Sequence, residues 1–194
     1  MKYIIKSMLF ATLCMLVFAG CEEGDGYKDV GISEIYIPQA AIPGANNRYT
    51  VPAGKGTDTY NFKVDNEKLN VFLSVSRGGK ISKASGFSVN VLVSPEETDA
   101  AVAAEQSGAL ALSSSLYTIP GKVIVDAGKT DASFFLSIDL NALMDGTYKG
   151  KKLFLAVAIN NPIPDTYVIS KNNSLVIVVI DVDAMKPILF PDKP

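Results

Sequence analysis

Histidine and tryptophan are absent from this sequence of 194 residues, and cysteine occurs at only two positions. Without histidine, the chain lacks the usual general base, the usual neutral metal ligand and the side chain that titrates near physiological pH. A Ser-His-Asp or Cys-His catalytic site is therefore excluded, and no typical zinc site is expected. Any sugar-stacking surface must use tyrosine or phenylalanine. We predict no catalytic residues, no metal ion and no other cofactor.

Long basic runs are also missing. The sequence has 18 Lys and Arg against 20 Asp and Glu, which gives a formal net charge of −2. A nucleic-acid-binding surface normally shows a basic patch, so we predict no nucleic-acid partner.

The first twenty residues have the layout of a secretory signal peptide. Lys2 and Lys6 form a basic start, Met8–Phe18 is almost continuously apolar, and small residues follow. An apolar run of about 7–15 residues is typical of a signal peptide, whereas a membrane-spanning helix needs roughly 20. The segment is therefore expected to direct export rather than to span a membrane.

The predicted cleavage site follows Gly20 and leaves Cys21 as the first mature residue. Ala19-Gly20-Cys21 resembles a bacterial lipobox, in which this cysteine is acylated, although Phe18 stands where leucine is usual. The alternative is an ordinary signal peptide followed by a chance cysteine. Because Cys14 lies inside the signal peptide, no disulfide is expected. We predict lipidation of Cys21 and anchoring in the outer membrane.

Four segments are predicted along the chain. They are the signal peptide (1–20), the lipidated cysteine with a flexible acidic tether (21–32), a β-sandwich domain (33–184) and a C-terminal tail (185–194). The tether contains Glu22-Glu23-Gly24-Asp25-Gly26, which cannot bury an apolar core. It also resembles the signal that exports many Bacteroidota lipoproteins to the cell surface, with a merely solvated linker as the alternative. We predict cell-surface exposure.

Most of the remaining sequence alternates apolar and polar residues, which predicts half-buried β-strands. The alternating segments are Tyr60–Val64, Val71–Val75, Phe87–Val93, Phe134–Leu140 and Leu153–Ile159. Ser33–Ile37 is predicted to be an edge strand because Pro38 ends it. Ala40–Gly56 is predicted to be a loop because it is rich in Gly, Pro and Asn. Leu175–Ile180 is apolar on both faces, which is typical of a covered central strand.

One surface helix is predicted near residues 95–107. Ser94 offers a capping hydroxyl, Pro95 suits the first helical position, Ala100–Gln106 favours helix, and Gly108 can end it. Asn141–Met144 is predicted to form one helical turn. The predicted fold is therefore all-β: an immunoglobulin-like two-sheet sandwich of about seven to nine short strands with one short helix. A closed barrel is the structural alternative.

Several short motifs resemble a domain family common in Bacteroidota surface lipoproteins. They are Tyr36–Ala40, Leu116–Pro120, Val125–Thr130, Phe134–Leu140 and Leu153–Ile159. This family has no known function and precedes endo-β-N-acetylglucosaminidase or lectin-like modules in starch-utilisation-type (Sus-like) systems. The resemblance covers most of residues 30–183. It implies an immunoglobulin-like sandwich and a surface accessory role, with a polysaccharide or a Sus-like lipoprotein or transporter as partner, and no catalytic residues.

The chain ends at Pro194, soon after the last predicted strand. We therefore expect it to lack the module that follows this domain in those architectures, which counts against glycan binding.

The candidate ligand-binding residues are tyrosines, whose rings could stack on sugars. They are Tyr49, Tyr117, Tyr148 and Tyr167, with Tyr60 as a further candidate. For each of them, the main expectation is packing of the ring against neighbouring strands, and sugar stacking is the alternative.

Two other motifs only weakly resemble a calcium site and a phosphate-binding loop. Turn carboxylates could bind calcium but are usually just solvated, and the acids in question are Asp126, Asp131, Asp181 and Asp183. Gly128-Lys129-Thr130 ends like a phosphate-binding loop, but Val123 stands where that loop requires glycine.

Three functions follow from these observations. The first is a non-enzymatic, lipid-anchored surface domain that binds glycan or a partner protein for polysaccharide utilisation. The second is a structural or adhesion subunit that pairs through the sheet edge at Ser33–Ile37. The third is a small glycoside hydrolase, although no two carboxylates are marked as a catalytic pair.

Overall fold

Alternating strands build most of the molecule in the computed structural model, which describes residues 34–56, 59–79, 85–105 and 107–191. All of these residues belong to one contact unit, Ile32–Pro194. The predicted signal peptide, Gly20, Cys21 and the acidic tether lie outside the described residues.

Strands outnumber helices among these residues. The strands are β1 (Glu34–Tyr36), β2 (Arg48–Val51), β3 (Phe62–Asp65), β4 (Lys68–Arg77), β5 (Phe87–Val93), β6 (Ala109–Ala111), β7 (Tyr117–Thr118), β8 (Lys122–Val125), β9 (Asp131–Asp139), β10 (Lys152–Ile163), β11 (Val168–Ile169) and β12 (Leu175–Asp181). The helices are α1 (Pro95–Ala103), α2 (Leu140–Met144) and α3 (Val182–Leu189), and Pro38–Ala41 forms a 3-10 helix.

Within the described residues, the strands form two six-stranded sheets. Sheet A has the order β11-β1-β4-β9-β7, and β3 also pairs with β4. Sheet B has the order β2-β12-β10-β5-β8, and β6 also pairs with β10. Most neighbours are antiparallel, but β1–β11, β2–β12 and β6–β10 run parallel.

One hydrophobic core lies between the two sheets. Every second residue of β4 is buried, including Val71 and Leu73, and these side chains pack with Val157 and Ile159 of β10 in one cluster. This burial on alternating positions is the physical consequence of a strand repeat of two residues. The predicted all-β two-sheet sandwich is therefore confirmed.

Helix α1 covers part of the outer face of sheet B. The Ser94 hydroxyl accepts a hydrogen bond from the Glu97 N–H (3.4 Å), and Pro95 opens the helix. A second, smaller apolar cluster joins Ala101 of the helix to Phe154 and Val179 of the sheet. The predicted surface helix is confirmed, but it ends at Ala103 rather than near Gly108.

The prediction that Ser33–Ile37 forms a sheet edge is wrong. Strand β1 lies between two neighbours: Glu34 pairs with Val168 of β11, and Ile35 pairs with Arg77 of β4. The short strand β11 covers the side that would have been open. Glu34 and Ile35 therefore do not offer a free edge to another chain.

The prediction of a loop throughout Ala40–Gly56 is also wrong. Arg48–Val51 forms β2, which pairs in parallel with β12, and Val51 is fully buried. The partner strand lies far away in the sequence, so nothing local to this Gly-, Pro- and Asn-rich stretch indicates the pairing.

Two further helices follow strands. Helix α2 confirms the predicted turn at Asn141–Met144. Helix α3 (Val182–Leu189) extends across the boundary predicted between the domain and the tail, which lies between residues 184 and 185. Met185, the first residue of the predicted tail, is fully buried in the main core. Among the residues that the structure describes, no helix is both long enough and apolar enough to cross a membrane.

Candidate functional site

The outer face of sheet A carries two phenylalanine rings side by side. Strands β4 and β9 pair so that Phe72 lies opposite Phe135. The neighbouring residues in each strand, such as Leu73 and Leu136, point into the core, so both phenylalanines point outward and remain partly exposed. The ring centroids are 5.4 Å apart and the ring planes are inclined by 57°. We call this pair the aromatic row.

Polar side chains lie on both sides of the aromatic row. On one side, cross-strand pairing aligns a set that we call the polar row: Lys63, Asn70, Ser137 and Thr118. The Ser137 hydroxyl donates to the Asn70 amide oxygen (2.6 Å). On the other side, Ser74 pairs with Ser133 across β4 and β9. This part of the face therefore presents hydroxyl and amide groups around two apolar rings.

The side chain of Gln39 adds a polar group next to the Ser74–Ser133 pair. Its amide nitrogen donates to the Ser74 hydroxyl (3.2 Å), and its amide oxygen accepts from the Ser74 backbone N–H (3.2 Å). The 3-10 helix that contains Gln39 is thereby tied to the middle of β4, which holds the polar group in place.

A cation lies over one of the two rings. The Lys63 ammonium nitrogen is 4.7 Å from the centroid of the Phe135 ring. This distance is within the roughly 6 Å over which a ring face attracts a cation.

An open groove continues from Phe135 toward the sheet edge. It has a volume of about 460 Å³, and its lining consists of Thr118, Ile119, Pro120, Phe134, Phe135 and Ser137. The groove therefore exposes the Phe135 ring beside the hydroxyl groups of Thr118 and Ser137.

A charged row completes the face beyond the polar row. Asp65 pairs with Lys68 across β3 and β4, and Lys68 pairs with Asp139 of β9. The Lys68 ammonium is 3.1 Å from the Asp139 carboxylate. A hydrogen bond from the Ala142 N–H, followed by the contact with Lys68, lowers the pKa of Asp139. Asp139 is therefore engaged as the cap of α2 and as the partner of Lys68.

The structure does not bring the predicted tyrosines together. Tyr49 lies on β2 of sheet B, Tyr117 on β7 of sheet A, Tyr148 after α2, and Tyr167 just before β11. Each ring is partly buried against the main core, as is that of Tyr60. Burial raises the pKa of Tyr49 and of Tyr117. No ring contact joins any two of these tyrosines within the described part of the chain.

Tyr167 has a further structural contact. Its hydroxyl accepts a hydrogen bond from Nη1 of the buried Arg77 (2.9 Å) and donates to the Ser85 carbonyl oxygen (3.0 Å). Its ring also contacts Phe87, with centroids 5.3 Å apart. Tyr167 therefore joins the end of β4 to the start of β5.

Two of the turn acids act as local hydrogen-bond acceptors. Asp181 accepts from the Ala184 N–H (3.0 Å) at the start of α3, and Asp183 accepts from the Gly150 N–H (3.0 Å). Among the described residues, no three acidic, histidine or cysteine side chains are grouped so that they could hold a metal ion.

Sequence reasoning missed Phe72 and Phe135, although the sequence contains the signal. Both phenylalanines fall on the outward phase of strands whose other outward residues are polar or charged, including Asn70 and Ser137. An aromatic residue out of phase with the buried face marks an exposed ring. That the two rings are neighbours depends on the pairing of β4 with β9, which neither segment indicates alone.

The chain has no match among curated proteins. It resembles a solved structure of unknown function from Bacteroides ovatus, with 13% identity, a TM-score of 0.53, and coverage of 77% of this chain and 52% of that one. A candidate carbohydrate-binding protein from Bacteroides ovatus has 13% identity and a TM-score of 0.49, over 76% of this chain and 36% of that one. An auxiliary nutrient binding protein from Bacteroides thetaiotaomicron has 13% identity and a TM-score of 0.49, over 73% and 46%.

This chain thus spans about a third to a half of the length of those three proteins. At these identities, the likeness concerns the fold. The family model that matches the sequence is described as "-like, N-terminal domain" and covers residues 33–165. The resemblance to a Bacteroidota family of N-terminal domains without known function is confirmed, and the chain belongs to this "-like, N-terminal domain" family.

Proposed function

We propose that this chain is a non-enzymatic, lipid-anchored accessory domain of the cell surface that binds glycan on the outer face of sheet A. The observation that carries the proposal is the aromatic row, Phe72 and Phe135. Its two rings face outward from the sandwich, between strips of hydroxyl and amide groups.

A sugar ring matches this arrangement chemically. Its C–H-bearing face is apolar and stacks on an aromatic ring, while its hydroxyls need hydrogen-bond partners when they leave water. Asn70 and Ser137 provide such partners beside Phe135. The adjoining groove of about 460 Å³ lies within the range of small-ligand sites, about 300–1,000 Å³.

The inclination of the rings narrows the class of glycan. Two planes inclined by 57° cannot both lie flat on one planar surface. A single sugar can stack on one ring and contact the edge of the other. We therefore expect soluble oligosaccharides or chain ends to bind, rather than a crystalline polysaccharide surface.

Location and partnership rest on the sequence. The lipobox-like Ala19-Gly20-Cys21 supports cleavage after Gly20 and acylation of Cys21, and the acidic tether supports export to the outer face of the outer membrane. Such a domain would present glycan to a Sus-like transporter or lipoprotein.

A glycan array followed by calorimetry tests the binding proposal. The full chain is purified in detergent, and each positive oligosaccharide is titrated into the wild type, Phe72→Ala, Phe135→Ala and the matched control Phe190→Ala, a partly exposed ring outside sheet A. We expect the first two variants to lose about tenfold or more in affinity, and the control to keep it. Absence of binding to any glycan, or equal binding by all four proteins, would refute the proposal.

The anchor has a separate test. Cells that express the wild type or Cys21→Ser are labelled with palmitate, fractionated and treated with protease. The proposal predicts label, envelope fractionation and protease sensitivity on intact cells for the wild type, and no label for the variant. Equal envelope fractionation of both proteins without label in either would contradict it.

A further inference from the structure

Two lysines of the outer face of sheet A have different electrostatic partners. Lys68 is 3.1 Å from the Asp139 carboxylate, whereas no carboxylate of the described residues lies within 4.0 Å of the Lys63 ammonium. Lys63 lies instead over the Phe135 ring, at 4.7 Å. Lys68 is paired with a carboxylate, whereas Lys63 has no ion-pair partner among the described residues and places its positive charge on the proposed stacking surface.

The position of Lys63 affects neutral and acidic sugars differently. A neutral sugar that stacks on this face of Phe135 must displace the ammonium and so lose its attraction to the ring. A sugar with a carboxylate can form a charge-assisted hydrogen bond with the same ammonium, and such bonds are stronger than neutral ones. The ammonium is then retained in the complex rather than expelled from it.

Neighbouring acidic groups lie farther from the ring than Lys63. The charged row, which includes Asp65 and Asp139, begins four residues along the strand from the aromatic row, because Lys68 precedes Phe72 by that number. At about 3.4 Å per residue, this corresponds to about 14 Å. Exposed charges at that separation are largely screened at physiological salt, where the Debye length is about 8 Å. The ammonium of Lys63 therefore dominates the field at Phe135.

We infer that the site prefers a uronic acid or another carboxylated sugar, whose ring stacks on Phe135 while its carboxylate pairs with Lys63. This inference rests on the proposed glycan binding and names its ligand class. Because charges are screened beyond about 8 Å at physiological salt, only a carboxylate next to the aromatic row can gain from Lys63. Asp65 lies one row beyond Lys63, so a second carboxylate extending that way would meet a like charge.

The test uses the full chain in detergent and two matched probes: an oligogalacturonate and its methyl ester. The probes share ring geometry and differ in the charge of the carboxyl group. We expect the acid to bind about tenfold more tightly than the ester at 150 mM salt, and this ratio to fall toward one at 1 M because exposed ion pairs are then screened.

Variants locate the preference on Lys63. Lys63→Met should bring the affinity ratio of acid to ester to about one, Lys63→Arg should keep most of the wild-type ratio, and the control Lys68→Met should leave the ratio unchanged. Equal binding of acid and ester by the wild type, or an unchanged ratio in Lys63→Met, would overturn the inference. If both probes bind equally and Phe135→Ala abolishes binding, only the acidic preference fails. If neither probe binds and the glycan array is empty, the proposed function fails as well.

Discussion

Each outer face of the sandwich carries a phenylalanine ring with a cation close to it, but one ring is buried and the other is partly exposed. On sheet B, Phe154 is fully buried beneath α1, and the Arg48 guanidinium lies 5.6 Å from its ring. On sheet A, Phe135 is partly exposed, and the Lys63 ammonium lies 4.7 Å from its ring. The comparison shows that a covering helix, rather than the aromatic residue itself, determines whether an outward ring stabilises the fold or is available to a ligand.

Local contacts hold the covering helix in place. The Thr98 hydroxyl donates to the Ser94 carbonyl oxygen (2.8 Å) and accepts a hydrogen bond from the Ala156 N–H of β10 (2.9 Å). Arg48, the cation beside Phe154, also binds Glu105 just after the helix (2.8 Å). The cation of the covered face is thus held by a carboxylate, whereas Lys63 on the open face has no carboxylate partner among the residues that the structure describes.

The largest expected effect is the difference in stability between a variant of the buried Phe154 and a variant of the partly exposed Phe135. Phe154→Ala should lower the free energy of unfolding by about 3–5 kcal/mol, because it opens a cavity under α1. Phe135→Ala, the matched control, should cost about 1 kcal/mol or less because the ring already contacts water. Urea denaturation followed by circular dichroism measures both. Equal losses would show that the two faces do not differ as described.

The next effect concerns the hydrogen bond that joins the helix to the sheet. Thr98→Val keeps the side-chain shape but deprives the buried Ala156 N–H of its acceptor, which should cost about 1–3 kcal/mol. Thr118→Val on the open face is the control and should change stability by less than about 0.5 kcal/mol. A negligible cost for Thr98→Val would mean that this hydrogen bond does not help to hold α1 on the sheet.

For ligand affinity we expect the opposite order: the phenylalanines of sheet A should matter and Phe154 of sheet B should not. Replacing Phe72 and Phe135 together by Ala should reduce affinity for the best oligosaccharide of the array at least about tenfold, or about 1.4 kcal/mol. Phe154→Ala should leave affinity unchanged under conditions where it remains folded, because its ring is closed to solvent. Calorimetry at low temperature measures both. A similar loss in the two proteins would indicate a general effect on folding.

The smallest expected effect is a loss of stability at acidic pH, to which one carboxylate beside each sheet contributes. The pKa of Glu105 is lowered chiefly by its hydrogen bond with Arg48, and that of Asp139 by the Ala142 N–H and Lys68. Groups with a lower pKa in the folded state stabilise it at neutral pH, and this contribution is lost as pH falls below their ordinary values of 4.5 and 3.8. Melting temperature should therefore decline below about pH 4.5. Glu105→Gln and Asp139→Asn should each flatten part of the decline, and an unchanged acid profile in both would contradict this origin.

Local patterns in the sequence predict the sandwich and α1. Alternation over Val71–Val75 and Phe134–Leu140 gives the buried faces of β4 and β9, and Ser94-Pro95 marks the start of α1. These features depend on neighbouring residues, so one segment carries enough information to reveal them.

Long-range pairing explains what the sequence does not predict. β2 forms because it meets β12, and β1 becomes an interior strand because β11 covers it. In the same way, Phe72 and Phe135 are adjacent only through the pairing of β4 with β9. The five candidate tyrosines are each partly buried against the core, and their scattered positions also depend on how distant strands pair.

The most direct test of the central claim is a map of the bound oligosaccharide by nuclear magnetic resonance. Backbone amide shifts of the full chain in detergent micelles are compared with and without a saturating ligand. Binding at the aromatic row predicts the largest shift changes at Asn70, Phe72, Phe135 and Ser137, and little change along α1. Largest changes at α1 and Phe154, or no change on the outer face of sheet A, would contradict it.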